Sequence, residues 1–149
     1  MLYLKEMHKM RLLQTSIILS ILLSNRADAS FYSAKDKLNY TQEQLLSDFD
    51  LVVLTSKDCS ACKQLQIILE KCELPHDFKT AWVESQATGY KFQIGSIRKI
   101  KTSEKTIQKI TSLTPKSFLN GKPFKEGLFK CNELKTEMLN DPPARLGNL

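Results

Sequence analysis

Leu51-Val52-Val53-Leu54-Thr55-Ser56-Lys57-Asp58-Cys59-Ser60-Ala61-Cys62-Lys63, continuing through Gln64 to Leu69, is the stretch on which the reading of the chain turns. Four consecutive apolar residues, two of them β-branched, predict a strand covered on both faces. Asp58 is a favoured N-cap residue. Leu65, Ile68, Leu69 and Cys72 recur at spacings of three and four, which predicts a helix ending near Cys72, ahead of Glu73-Leu74-Pro75. Cys59 and Cys62 then fall on the first turn of that helix, with Cys59 nearest its N-terminus. There the macrodipole and the unpaired backbone N–H groups favour a thiolate. A redox dithiol needs that geometry: an exposed, low-pKa attacking sulfur and a partner one turn on that can close the ring.

The 149 residues are enough for one domain with a substantial core. The formal net charge is +6, but the cations are scattered, with no dense Lys/Arg run and no interleaved aromatics. They read as a solvated surface and not as a nucleic-acid site. Residues 1–29 read as a signal peptide. Lys5, Lys9 and Arg11 form a positive n-region. Leu12 to Leu23 form an apolar stretch softened by Gln14, Thr15, Ser16 and Ser20, and Ala27-Asp28-Ala29 is a small-x-small cleavage site. The mature chain then starts at Ser30, and the apolar stretch is too short for a comfortable membrane span. An uncleaved signal anchor is the alternative, and Met1, Met7 and Met10 are all possible starts. With no cysteine at the cleavage site, a lipid anchor is not expected. The expected location is therefore exported, periplasmic and without stable membrane insertion after cleavage. In that oxidising compartment an even set of four cysteines is chemically meaningful.

Along the mature chain, residues 30–40 read as an irregular lead-in, 41–140 as the folded domain and 141–149 as a flexible tail. Thr41 with Gln44 has the shape of a capping box and opens a short helix through Leu45, Leu46 and Phe49. Phe78 to Val83 predicts a second strand, with Phe78, Thr80 and Trp82 on one face. Between Ser85 and Lys101 the pattern is weak; alternating Tyr90, Phe92 and Ile94 suggest an extra strand or a structured loop. Thr102 or Ser103 caps a helix through Glu104, Ile107, Ile110 and Leu113. Asn120-Gly121 marks a two-residue turn between two short strands. A last helix runs from about Asn132 through Leu134, Met138 and Leu139.

With this order of elements the sequence resembles the thioredoxin-like superfamily, over about Thr41 to Leu139. Asp58-Cys59-Ser60-Ala61-Cys62-Lys63 occupies the active-site position and keeps the family's common Lys after the second Cys. Thr114-Pro115 stands where the family has its cis-proline. Thr114 to Phe124 is similar to the glutaredoxin pattern of Thr/Val-Pro, then Phe, then Asn-Gly-Lys. The resemblance implies an α/β fold: a central mixed β-sheet flanked by helices, with a short N-terminal lead-in helix. It implies a thiol–disulfide oxidoreductase needing no organic cofactor. Cys59 would attack and form mixed disulfides, and Cys62 would resolve them. Thr114 would offer backbone hydrogen bonds to an extended substrate segment, and Pro115 would face the dithiol. The chain departs from the family at Asp58, where an aromatic residue is common, and at the neutral pair Ser60-Ala61. A carboxylate at Asp58 disfavours a Cys59 thiolate and works against the helix dipole, whereas Lys63 could tune it the other way. The charged glutathione-binding pattern of glutaredoxins is not evident after Phe124.

Partners implied are exported proteins with thiols or disulfides and a redox recycling partner, met by a monomer; no nucleic acid is expected. The direction of electron flow stays open. Two other readings stay open as well. One is a non-catalytic thioredoxin-fold interaction or assembly module of the cell envelope. The other is a thiolate copper-binding protein, although no Met or His cluster supports a metal. For Cys72 and Cys131, a structural disulfide suits an exported chain. Thioredoxin topology argues against it by placing them at opposite ends of the sheet, since ten helical residues from Cys62 carry Cys72 about 15 Å away and a disulfide needs Cα atoms within roughly 7 Å. The other option is a buried, unpaired Cys72 with Cys131 as a core cysteine or an accessory thiol near the dithiol.

Overall fold

A computed structural model describes residues 30–85, 92 and 96–142. The expected signal peptide, Met1, Met7 and Met10, the suggested strand residues Tyr90 and Ile94, and the expected tail beyond Pro142 lie outside the described residues.

The described chain is a mixed α/β fold. Residues 30–40, expected to be irregular, form a hairpin of β1 (Phe31–Ser33) and β2 (Leu38–Tyr40), with Phe31 opposite Tyr40. Strands of three residues are too short to show an alternating pattern. Their turn also lacks Asn-Gly and uses Lys37 in the left-handed region, at φ 53°. Helix α1 (Gln42–Asp48) opens with the expected capping box: the Thr41 side chain accepts from the Gln44 N–H, and the Gln44 side chain accepts from the Thr41 N–H. Then come β3 (Leu51–Leu54), α2 (Ser60–Lys71), β4 (Thr80–Glu84) and β5 (Ile97–Lys101). Ser103 caps α3 (Glu104–Ile110), whose C-cap is Thr111, so Leu113 lies beyond the helix it was expected to close. The hairpin of β6 (Lys116–Leu119) and β7 (Lys122–Glu126) turns at Asn120-Gly121, both with positive φ (52° and 78°). Such a turn matches the right-handed strand twist. Helix α4 (Cys131–Asn140) closes the described chain.

One seven-stranded sheet results, in the order β2-β1-β5-β4-β3-β6-β7. β3, β4 and β5 are parallel, and the remaining pairings are antiparallel. The period of two along β3 feeds two cores. Leu51 and Val53 join Trp82 beneath Leu65 and Leu69 of α2 and Leu134 of α4. Val52 and Leu54 join Ala81 and Val83 beneath Leu45 of α1 and Ile107 of α3. Both faces of β3 are thereby covered, as its unbroken apolar run requires.

Cys72, the C-cap of α2, is bonded to Cys131 at the start of α4, with Cα atoms 5.6 Å apart. The expected separation rested on thioredoxin topology and on the length of helix between Cys62 and Cys72. The link Gly127–Lys130 can carry the chain about 13 Å, so α4 need not begin where β7 ends. All four cysteines are paired.

Candidate functional site

The site forms where β3 gives way to α2. Thr55 fixes the base of this loop: its N–H and its hydroxyl both donate to the Val83 carbonyl, at 3.0 and 2.7 Å. Ser56 follows, and its hydroxyl hydrogen-bonds the Thr114 hydroxyl. Asp58 then takes a left-handed conformation, φ 57°, which turns the chain into the helix. Asp58 was expected to cap α2. That role falls instead to Cys59, whose Sγ accepts from the Cys62 N–H at 3.1 Å. A left-handed residue has the wrong backbone geometry for an N-cap, which normally lies in the extended region, and Cys59 has it, at φ −91° and ψ 102°.

Cys59 and Cys62 are disulfide-bonded, with Cα atoms 5.2 Å apart. They differ in access: Cys59 is half-exposed, whereas Cys62 is 4% exposed and packs in the core with Leu65. Cys59, the more exposed of the two, is the sulfur open to an incoming thiol. On reduction, the Cys62 N–H and the N-terminal end of α2 stand ready to stabilise negative charge on Cys59.

The second wall is the link between α3 and β6. Thr114-Pro115 is a cis peptide. The Thr114 carbonyl oxygen lies 3.6 Å from Cys59 Sγ, and Pro115 is buried. The Pro115 carbonyl accepts from the Gly127 N–H at 2.7 Å, tying this link to the segment after β7. Leu113 and Leu128, next in sequence to Thr114 and Gly127, are 57% and 44% exposed. The structure thus brings Cys59, Cys62, Thr114 and Pro115 together across 55 residues of sequence. Asp58 and Lys63 flank Cys59 and Cys62 in sequence, and both are exposed to solvent.

Ser56 and Thr55 were not expected at this site. Neither carries a local signal, because the Ser56–Thr114 contact spans 58 residues and the Thr55–Val83 contact 28. At the other disulfide, Glu133 in the first turn of α4 accepts from the Lys130 N–H and pairs with Lys125 at 3.2 Å. The hydrogen bond from Lys125 holds the Glu133 carboxyl below its ordinary range. Away from both, burial of Tyr40, and then the nearby Asp36 and Asp48 carboxylates, push its phenol above its ordinary range.

No protein-family model matches the chain, and no curated protein matches its sequence.

Proposed function

We propose that the protein is an exported thiol–disulfide oxidoreductase of thioredoxin-like fold, exchanging disulfides with other exported proteins through Cys59 and Cys62. The observation that carries this reading is the asymmetric pair itself. A half-exposed sulfur caps a helix, its partner is buried one turn on, and the Thr114 carbonyl lies 3.6 Å from the exposed sulfur. The sheet is larger than that of the family, because the hairpin of β1 and β2 extends it beyond β5. The order β4-β3-β6-β7, with the Cys-x-x-Cys helix following β3 and the Thr-Pro link preceding β6, is compatible with that fold.

In the oxidising direction, a substrate thiolate attacks Cys59 Sγ. The Cys59–Cys62 bond breaks, Cys62 leaves as a thiolate and takes up a proton, and a mixed disulfide joins Cys59 to the substrate. A second substrate thiolate then attacks the substrate sulfur of that bond and expels the Cys59 thiolate. Two electrons pass from the substrate dithiol to the protein. The reducing direction is the same sequence reversed, with Cys59 as attacking thiolate and Cys62 resolving. The helix N-terminus favours Cys59 as leaving group and as nucleophile alike. Export is supported by the signal-like composition of residues 1–29 and by two disulfides in one small domain, a pattern of oxidising compartments.

The test is trapping. Cys62→Ser, expressed in cells, should accumulate mixed disulfides with exported proteins that dithiothreitol releases, and Cys59→Ser should accumulate none. A Cys62→Ser protein that traps no partner would exclude the exchange reading and leave a static disulfide.

A further inference from the structure

The loop that carries the dithiol and the link that carries Thr114 come from distant parts of the chain, yet they must keep one spacing if a polypeptide is to be held while its sulfur reacts. Two fastenings flank this spacing. Gly127 N–H to Pro115 O holds the Thr-Pro link from the far side. On the near side, the hydroxyl of Ser56 meets that of Thr114. Ser56 is itself well anchored, because Thr55 beside it makes two hydrogen bonds to one carbonyl of β4. Thr114 therefore sits between a rigid strand end and a hairpin, with its carbonyl directed at Cys59.

We infer that Ser56 is a positioning residue. Through the Thr114 hydroxyl it fixes the Thr-Pro link against the dithiol loop, and this sets how well an extended polypeptide thiol, as opposed to a small thiol, is aligned on Cys59. The inference rests on the exchange reading above. A polypeptide needs the Thr114 backbone held at a fixed distance from Cys59, because it engages both at once. A small thiol needs only access to the sulfur. Losing one such hydrogen bond in a half-exposed place leaves Thr114 free to bond water, so the fold survives, but alignment loosens by an amount worth about five-fold in rate.

The experiment uses the full chain, oxidised at Cys59–Cys62, in four forms: unaltered, Ser56→Ala, Ser56→Thr and Thr114→Val, with the Ser56→Ala/Thr114→Val double variant beside them. Each is mixed with a reduced ten-residue peptide carrying one cysteine, and separately with cysteamine, and the second-order rates are followed in stopped flow. The expected result is that Ser56→Ala slows the peptide reaction about five-fold and the cysteamine reaction less than two-fold. Ser56→Thr should restore the peptide rate. Thr114→Val should reproduce the loss, and the double variant should lose no more than either single one, as expected for two ends of one contact. Equal slowing of both thiols, no slowing of the peptide, or additive losses in the double variant would overturn the positioning role while leaving the exchange reading intact. An unaltered protein that reacts with neither thiol would overturn both.

Discussion

Replacing Cys72 and Cys131 together with alanine removes a cross-link between residues 59 apart in sequence. In the chain-entropy description, opening a loop of that length releases about 4 kcal/mol of constraint on the unfolded state at 25 °C. Cys72 is 5% exposed, and removing its sulfur from the core adds about 1 kcal/mol. The sum, about 5 kcal/mol, compares with about 5–15 kcal/mol for the whole stability of a domain of this kind. At about 4 °C per kcal/mol it corresponds to a melting temperature lower by about 20 °C. The assay is urea and thermal unfolding followed by far-UV circular dichroism, with Cys59–Cys62 kept oxidised. The urea slope should also rise, because an unfolded chain without the cross-link exposes more surface. A double variant within about 1 kcal/mol of the unaltered protein would refute the reasoning, since no loop-closure argument at this separation yields so little.

Other expectations follow from single residues. Asp58 sits in the left-handed region, so Asp58→Val should cost about 1–2 kcal/mol while Asp58→Gly costs little or stabilises, measured by urea unfolding. Leu134 of α4 is fully buried against the sheet and α2, and Leu134→Ala should cost about 3 kcal/mol in the same unfolding assay. The depressed Glu133 carboxyl contributes stability that is present above the unfolded carboxyl range and lost as pH falls through its folded value. In Lys125→Ala the main cause of the depression is gone, so carbon-13 NMR should show the Glu133 carboxyl moving up toward its ordinary range.

Legibility in the sequence followed the range of the interactions. The capping box at Thr41, the buried strand Leu51–Leu54, the helix behind the cysteines and the Asn120-Gly121 hairpin are each decided within a few residues, and each could be read directly. The β1–β2 hairpin escaped because three-residue strands leave no periodicity to detect. β5 escaped for another reason: Ile97 and Ile100, three apart, feed opposite cores, so no single face repeats. The Cys72–Cys131 bond was argued against because the course of Gly127–Lys130 is set by tertiary packing that no local pattern carries. Ser56 was invisible as a site residue for the same reason, since only the folded chain brings its hydroxyl to Thr114. The cap of α2 is Cys59 and not Asp58, because the usual preference for Asp assumes an extended backbone, and here Asp58 makes the turn itself.

The most direct test of the central claim is the reduction of the two disulfides side by side. The full chain is equilibrated in graded glutathione and dithiothreitol buffers, thiols are alkylated, and each cysteine is read by mass spectrometry. The account predicts that Cys59–Cys62 reduces reversibly with the fold intact, at a potential above about −300 mV, where exchanging pairs lie. Cys72–Cys131 should stay oxidised throughout, as structural disulfides do below that value. If Cys59–Cys62 opens only when the protein unfolds, or only with Cys72–Cys131, it is a static cross-link and the oxidoreductase reading is wrong.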